Sequence, residues 1–141
     1  MNRLLAVDWG TKRVGLAVSD PGRSLARALP TLAVRGFRDT LKRLEEIAVR
    51  EGIGEILVGL PLLLSGEEGD SARRARKLAR ALEVRGYRVT LRDERWTSEA
   101  ARDLLRDQGV RRPRPGRLDA VAAVLLLQEY LDESPSKGAD A

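Results

Sequence analysis

Short apolar runs separated by turn-forming residues open the chain. Residues 4–7 form an apolar run that ends at Asp8, and residues 14–19 form a second run. The Asp-Pro-Gly-Arg segment at 20–23 is a strong turn signal, because proline suits the first central position of a turn and glycine the second. A third run lies around residues 30–34. The pattern predicts three β-strands with short connections, which indicates an antiparallel meander.

The hydrophobic period then becomes helical. Apolar positions between 37 and 48 fall on one helical face, and Gly52 is placed to end that helix. A β-branched and apolar run at 55–60 follows, then a second amphipathic helix over 72–82 and a fifth strand over 87–91. Because strands alternate with helices in this part, the pattern predicts parallel crossovers.

Two helices complete the predicted order βββαβαβαα. The first is capped by Thr97 or Ser98 and ends at Gly109. The second follows a Pro-rich basic loop at 111–117, covers residues 118–131 and is apolar enough to be largely buried. We predict one α/β domain over residues 1–132, built on a five-stranded mixed sheet, and a disordered tail over residues 133–141.

The composition excludes several kinds of chemistry. The chain has 141 residues with no histidine and no cysteine. It therefore has no Ser-His-Asp triad, cysteine nucleophile, disulfide or zinc finger. Any metal ligands must be oxygen atoms, which favours Mg²⁺ or Mn²⁺.

The net charge of +5 is unevenly distributed. Residues 70–117 contain fifteen basic and seven acidic residues, whereas the rest of the chain is slightly acidic. All but four of the 26 basic residues are arginine, which forms bidentate contacts with phosphate. This bias indicates a nucleic-acid partner. Solvated helix faces would explain the high arginine content, but they explain its uneven distribution less well.

No segment resembles a secretory signal or a membrane span. The first apolar run is interrupted at Asp8, and the longest one, residues 120–127, has only eight residues. We expect a cytoplasmic protein without a membrane partner.

Three acidic residues lie at the ends of apolar elements. Asp8 ends the first strand, Glu94 follows the fifth, and Asp119 begins the last helix. Parallel strands end at one edge of a sheet, so these carboxylates can converge there. Three adjacent carboxylates repel unless a divalent cation neutralises them, and such clusters catalyse phosphodiester hydrolysis. Structural roles remain open: a turn at Asp8, an ion pair of Glu94 with Arg92 or Arg95, and a helix-dipole contact for Asp119.

Four sequence blocks resemble a known family. They are DWGTKRVGLAVSD at 8–20, VGLP at 58–61, DERWT at 93–97 and LDAVAAVLLLQ at 118–128, the last followed by Tyr130-Leu131. Together, and in this order, they resemble the YqgF (RuvX-like) family over residues 4–131. That family is described as Holliday junction resolvases and as nucleases that mature the 5′ end of pre-16S ribosomal RNA.

The resemblance implies a ribonuclease H-like fold in which Asp8, Glu94 and Asp119 hold a divalent metal and form the catalytic site. The chain departs from the family pattern at residues 62–66, where Leu-Leu-Leu-Ser-Gly replaces a segment that usually reads Asn-Met-Asp-Gly. The missing acid leaves the role of this loop in substrate contact open. The basic residue that often precedes the last aspartate is present as Arg117.

Candidate phosphate-binding residues lie in three segments. Glycine allows close approach of the backbone to a phosphate, and cationic side chains can hold one. The candidates are Gly10, Thr11, Lys12 and Arg13 after the first strand, Arg73, Arg74, Arg76 and Lys77 on the second predicted helix, and Arg111, Arg112, Arg114 and Arg117 in the basic loop. Solvated surface charge is the alternative for each segment.

We therefore predict a metal-dependent nuclease that acts on structured RNA or branched DNA. Two other classes remain: a non-catalytic nucleic-acid-binding module of the same fold, and a small actin-like ATP-binding domain. The second is disfavoured because that class closes two lobes around the nucleotide, whereas this chain supplies one. Symmetric resolution of a four-way junction would require a homodimer.

Overall fold

A computed structural model describes residues 2–9, 12–94, 97–114 and 116–133, without the side chains of Thr97 and Ser98. The strands are β1 (Arg3–Trp9), β2 (Arg13–Ser19), β3 (Ala26–Ala33), β4 (Ile53–Leu60) and β5 (Arg88–Asp93). The helices are α1 (Phe37–Glu51), α2 (Asp70–Val84), α3 (Thr97–Asp107) and α4 (Arg117–Glu133). This order confirms the predicted βββαβαβαα sequence of elements.

The five strands form one mixed sheet in the order β3-β2-β1-β4-β5. The β1–β2 and β2–β3 pairs are antiparallel, whereas β1–β4 and β4–β5 are parallel. The meander and the two crossovers were both predicted. Because β1 is central and parallel to β4 and β5, the ends of these three strands reach the same edge of the sheet.

The two faces of the sheet are covered by different helices. Large aliphatic side chains on one face pack against α1 and α2 in the main core, which includes Leu5, Val7, Leu16, Ile56 and Val58. The opposite face packs against α4 in a smaller core. That core combines Leu4, Ala6, Ala17 and Leu57 of the sheet with Ala123, Leu126, Leu127 and Leu131 of α4.

The third strand begins earlier than predicted, at Ala26 rather than near Pro30. Residues 26–29 show no clear apolar alternation, so the hydrophobic pattern missed them. They are held instead by pairing with β2, in which Val18 is opposite Arg27. The backbone amide of Ala26 also donates to Gln128 Oε1 at 2.9 Å.

Within the described residues, no helix has both the length and the apolar character needed to cross a membrane. The predicted tail, residues 133–141, lies outside the described residues except for Glu133, the last residue of α4.

Candidate active site

The candidate site begins at Asp8 on the central strand. Asp8 is the penultimate residue of β1 and pairs with Gly15 of β2. Side chains alternate along a strand, so Asp8 shares the α4 face with Leu4 and Ala6. An acidic side chain thus lies at the end of an otherwise apolar strand and under the first turns of α4.

Glu94 directly follows β5 and is buried, with only 9% of its surface exposed. Its backbone amide donates to the carbonyl of Leu60 at 3.1 Å, which fixes the residue at the end of β4. Its side chain shares a hydrogen bond with the carboxylate of Asp8. The space that it fills is provided by Gly59, because a Cβ at position 59 would lie 2.3 Å from Glu94 Oε2.

Asp119 lies in the first turn of α4, which passes closely over β2. A Cβ at Gly15 would lie 2.1 Å from the carbonyl oxygen of Asp119, so only glycine permits this approach. The start of the helix is also held by Thr31, whose hydroxyl donates to the carbonyl of Gly116 at 2.9 Å. Because Gly15 pairs with Asp8, this contact brings Asp119 towards the site.

Burial and mutual repulsion shift the ionisation of these acids. Burial, together with the charge of Asp8 and their shared hydrogen bond, raises the pKa of Glu94 to about 10. Burial also raises the pKa of Asp8, where the hydrogen bond from Glu94 acts in the opposite direction and the charge of Asp119 adds to the increase. Burial raises the pKa of Asp119, whereas the charge of Arg13 lowers it. Without a cation, Glu94 is therefore protonated near neutral pH and donates to Asp8.

The acids are neighbours, but they are not gathered into one three-ligand cluster. In the described part of the chain, no three acidic side chains lie close enough together to hold a single metal ion. The site is nevertheless suited to a hard divalent cation, because its donors are carboxylate oxygens. Glu94 is buried in a space kept open by Gly59, and Asp8 beside it is half-buried. Asp8 and Glu94 would be the inner pair of ligands, with Asp119 beside them.

One alternative role of Glu94 loses its support. Arg92 pairs with Glu129 at 2.7 Å and with Glu133 at 2.6 Å, both on α4. Arg92 therefore ties β5 to the end of α4, while Glu94 turns to Asp8. The other proposed partner, Arg95, lies outside the described residues.

The candidate phosphate-binding residues beside the site are only partly described. Gly10 and Thr11 lie outside the described residues, and Lys12 is exposed. Arg13 is half-buried, and its positive charge lowers the pKa of Asp119. The basic loop residues are all exposed between α3 and the first turn of α4, and they are Arg111, Arg112, Arg114 and Arg117. Their role in phosphate binding stays a prediction.

The basic residues of α2 have internal partners. Arg73 forms an ion pair with Asp70, and Arg76 donates from Nε to both carboxylate oxygens of Glu68 at 2.8 Å. The guanidinium of Arg74 lies 4.6 Å from the centre of the Trp9 ring, and the Lys77 ammonium lies 4.5 Å from the Phe37 ring. These contacts offset the mutual repulsion of the α2 cations, so this run of positive charge does not by itself require a bound polyanion.

The loop that departs from the family pattern begins at the site. Leu62 donates to the carbonyl of Leu60 at 3.0 Å, the same carbonyl that accepts from the amide of Glu94. Leu62 packs on the main core, whereas Leu63 and Leu64 are exposed. Trp9, which follows Asp8, is buried in the main core. Trp96 lies outside the described residues.

The family model described as RuvX, Holliday junction resolvase, matches residues 2–133. The chain belongs to the RuvX family. This membership confirms the predicted nuclease class, and it implies a requirement for a divalent metal.

Curated relatives of this RuvX-family chain span nearly its whole length. Each of the three relatives described here is named "Putative pre-16S rRNA nuclease". The Dictyoglomus thermophilum protein is 38% identical to this chain over 134 residues, which cover 94% of this chain and 96% of the relative. The relative in Anaeromyxobacter dehalogenans is 44% identical over 92% of this chain and 96% of its own length. The Thermus thermophilus relative is 38% identical with the same coverage.

Solved structures confirm the ribonuclease H-like fold. Thermus thermophilus RuvC in complex with a Holliday junction substrate superimposes with a TM-score of 0.59 at 18% identity, covering 95% of this chain and 97% of RuvC. The fowlpox virus Holliday junction resolvase gives a TM-score of 0.56 at 12% identity, covering 92% and 98%. At these identities the likeness concerns the fold.

Sequence reasoning missed the two glycines that create the site. Gly15 and Gly59 occur within the blocks that carry the family resemblance, but no role was predicted for either. The available signal was the alternation in β2, where large residues at 14, 16 and 18 alternate with small ones at 15, 17 and 19. A face of small side chains indicates that another part of the backbone approaches closely.

Proposed function

We propose that this RuvX-family chain is a nuclease that uses Mg²⁺ or Mn²⁺ to hydrolyse phosphodiester bonds in structured nucleic acid. One observation carries the proposal. The carboxyl groups of Asp8 and Glu94 share a hydrogen bond at the carboxyl edge of the sheet, in a space that Gly59 leaves open. Two such neighbouring acids repel each other once both are ionised, and a divalent cation removes that repulsion.

In this proposal Asp8 and Glu94 would be the inner metal ligands, and the side chain of Asp119 would move in to complete the site when the ion binds. When bound, the ion activates water and stabilises negative charge on the phosphate oxygens. Glu94 must lose its proton to become a ligand, because burial and Asp8 keep it protonated in the free protein. The chain contains no histidine, so no imidazole base is available to take the proton from water.

Basic residues around the site would orient the substrate. Arg13 lies near Asp119, and the exposed arginines of the basic loop lead directly into the first turn of α4. Guanidinium groups there can hold the phosphates that flank the scissile bond and stabilise developing charge. A cytoplasmic location and a single domain over residues 1–132 remain part of this proposal.

We infer that the natural substrate is pre-16S rRNA, since relatives that match nearly the whole chain are named for that RNA. The family resemblance adds that cleavage would take place at its 5′ end. A four-way DNA junction is the second candidate, favoured by the likeness in fold to RuvC with its junction substrate. Symmetric cleavage of a junction would require two copies of the chain. The reading as an actin-like ATP-binding domain is not favoured by these relatives.

The test is a cleavage panel with Mg²⁺ and Mn²⁺ on a precursor rRNA fragment, a four-way DNA junction and duplex DNA. Changes beside a metal site cost about 10- to 100-fold, so loss of a ligand in Asp8→Asn should lower cleavage by more than about 100-fold. Folding and substrate binding should persist, because asparagine can still accept the hydrogen bond from Glu94.

The matched control is Glu46→Gln, which removes one exposed carboxylate of α1, on the other side of the sheet from α4. It should cleave like the parent chain. Full activity in Asp8→Asn, or no metal-dependent cleavage of any substrate by the parent chain, would contradict the proposed function.

A further inference from the structure

Three arginines surround one small cavity at the end of α3. The cavity has a volume of about 80 Å³ and is lined by Arg102, Leu105, Arg106, Val110, Arg111 and Pro113. All three arginines are exposed at its rim, whereas Leu105 is buried. Neither Arg102 nor Arg106 belongs to the segments from which the sequence predicted phosphate binding.

Helix geometry and a glycine turn explain why the arginines converge. Arg102 and Arg106 are four residues apart, so they lie on the same face of α3. The helix then ends at Gly109, which has a φ of +85° that favours glycine. The amide of Gly109 donates to the carbonyl of Arg106 at 2.9 Å, and the amide of Val110 donates to the carbonyl of Leu105 at 2.8 Å. These two hydrogen bonds form a Schellman motif, which reverses the direction of the chain. The turn brings Arg111 to the rim that Arg102 and Arg106 already form.

Among the residues that the structure describes, the cations at this rim have few acidic partners. Arg106 approaches Asp103 at 3.5 Å, and both side chains are mostly exposed. This differs from α2, where Arg76 donates twice to Glu68 at 2.8 Å. Like charges four residues apart on a helix destabilise it unless an anion lies between them.

We propose that Arg102, Arg106 and Arg111 bind a phosphate group of the nucleic-acid backbone, at a site separate from the metal site. Guanidinium groups contact phosphate oxygens in bidentate fashion, and the cavity is small enough for several of them to reach one phosphate. The identity of the ligand rests on the proposed function. It is supported by the basic loop, which begins at this cavity and runs to Asp119, so that one strand can contact both.

The experiment measures binding of a single-stranded RNA oligonucleotide without divalent ions, between about 50 and 200 mM salt. The parent chain is compared with the double variant Arg102→Ala/Arg106→Ala. Loss of one phosphate contact should reduce the slope of log affinity against log salt by about 0.7. The matched control is Arg38→Ala/Lys42→Ala, which removes two exposed cations four residues apart on α1 and should leave the slope unchanged.

Equal slopes in the parent chain and the Arg102/Arg106 variant would overturn the proposal, as would an equal decrease in both variants, which would indicate a general charge effect. A second arm titrates inorganic phosphate and follows the Val110 amide by NMR. Saturable shifts that the Arg102/Arg106 variant loses support the site. Such shifts with an unchanged RNA slope would indicate a small-anion site and overturn backbone binding. If the parent chain cleaves nothing but the slopes differ, the proposed function fails and this site stands.

Discussion

The two faces of the sheet differ in the size of their side chains, and the difference separates stability from function. Facing α1 and α2, the strands carry leucine, isoleucine and valine throughout the main core. Facing α4, they carry Gly15, Ala17 and Gly59 around Asp8. Large side chains maximise the burial of apolar surface, whereas small ones allow a helix backbone and a buried carboxylate to approach the sheet.

One added methyl group should disturb the face of the sheet that packs against α4, which carries the candidate site and is called the site face below. Gly59→Ala would place a Cβ 2.3 Å from Glu94 Oε2, so the carboxyl group must move away from Asp8. Displacement of a catalytic group by about 1 Å can cost roughly 100-fold in rate. We expect that loss in cleavage and a matching loss of Mn²⁺ affinity, measured by calorimetry. Shortening the acid in Gly59→Ala/Glu94→Asp should restore part of both.

Two controls make this prediction specific to the site face. Gly69→Ala adds a methyl group at the same edge but meets Leu63 at 3.5 Å, an ordinary contact, and should leave Mn²⁺ binding intact. Leu78→Ala on the other face should cost about 2–5 kcal/mol of unfolding free energy in urea while Mn²⁺ still binds. Unchanged Mn²⁺ affinity in Gly59→Ala would remove Glu94 from the metal site.

The second prediction concerns how the site face responds to pH. In the free protein the pKa of Glu94 is raised from 4.5 to about 10, first by burial and then by Asp8. Between these values the unfolded chain releases this proton and the folded chain keeps it, so the acid makes stability fall as pH rises. The slope for one proton is at most about 1.4 kcal/mol per pH unit.

The Glu94→Gln variant has an amide in place of the carboxyl group, so it has no proton to release in this pH range. Its unfolding free energy in chelator should therefore exceed that of the parent chain by an amount that grows from pH 6 to pH 8.5, as measured by urea titration. A constant difference across that range would show that Glu94 ionises normally. Added Mg²⁺ should stabilise the parent chain more than the variant, because Glu94 can then give up its proton to a cation.

The sequence predicted the element order and the edge at which the acids meet, but not how the site is built. Periodicity records which elements form, and parallel crossovers place Asp8 and Glu94 at one edge. The space for Glu94 depends on Gly59, which lies 35 residues earlier, and the approach of Asp119 depends on the pairing of Gly15 with Asp8. Contacts between residues so far apart in the chain cannot be read from local patterns. The number of charged residues likewise does not show that the turn after α3 places Arg111 beside Arg102 and Arg106.

The last prediction compares how much the arginines of α2 and those of the basic loop contribute to RNA binding. On α2, beside the main core, Arg73 and Arg76 already have Asp70 and Glu68 as partners. In the loop that leads to α4, Arg111 and Arg112 are exposed. Since ion pairs must be exchanged before an α2 arginine can bind phosphate, we expect Arg73→Ala/Arg76→Ala to lower the salt slope of RNA binding by less than about 0.7, and Arg111→Ala/Arg112→Ala by more. Both pairs remove two positive charges, so only their placement differs. Equal decreases would mean that nucleic acid also contacts α2, and that the sequence was right to group all of these arginines together.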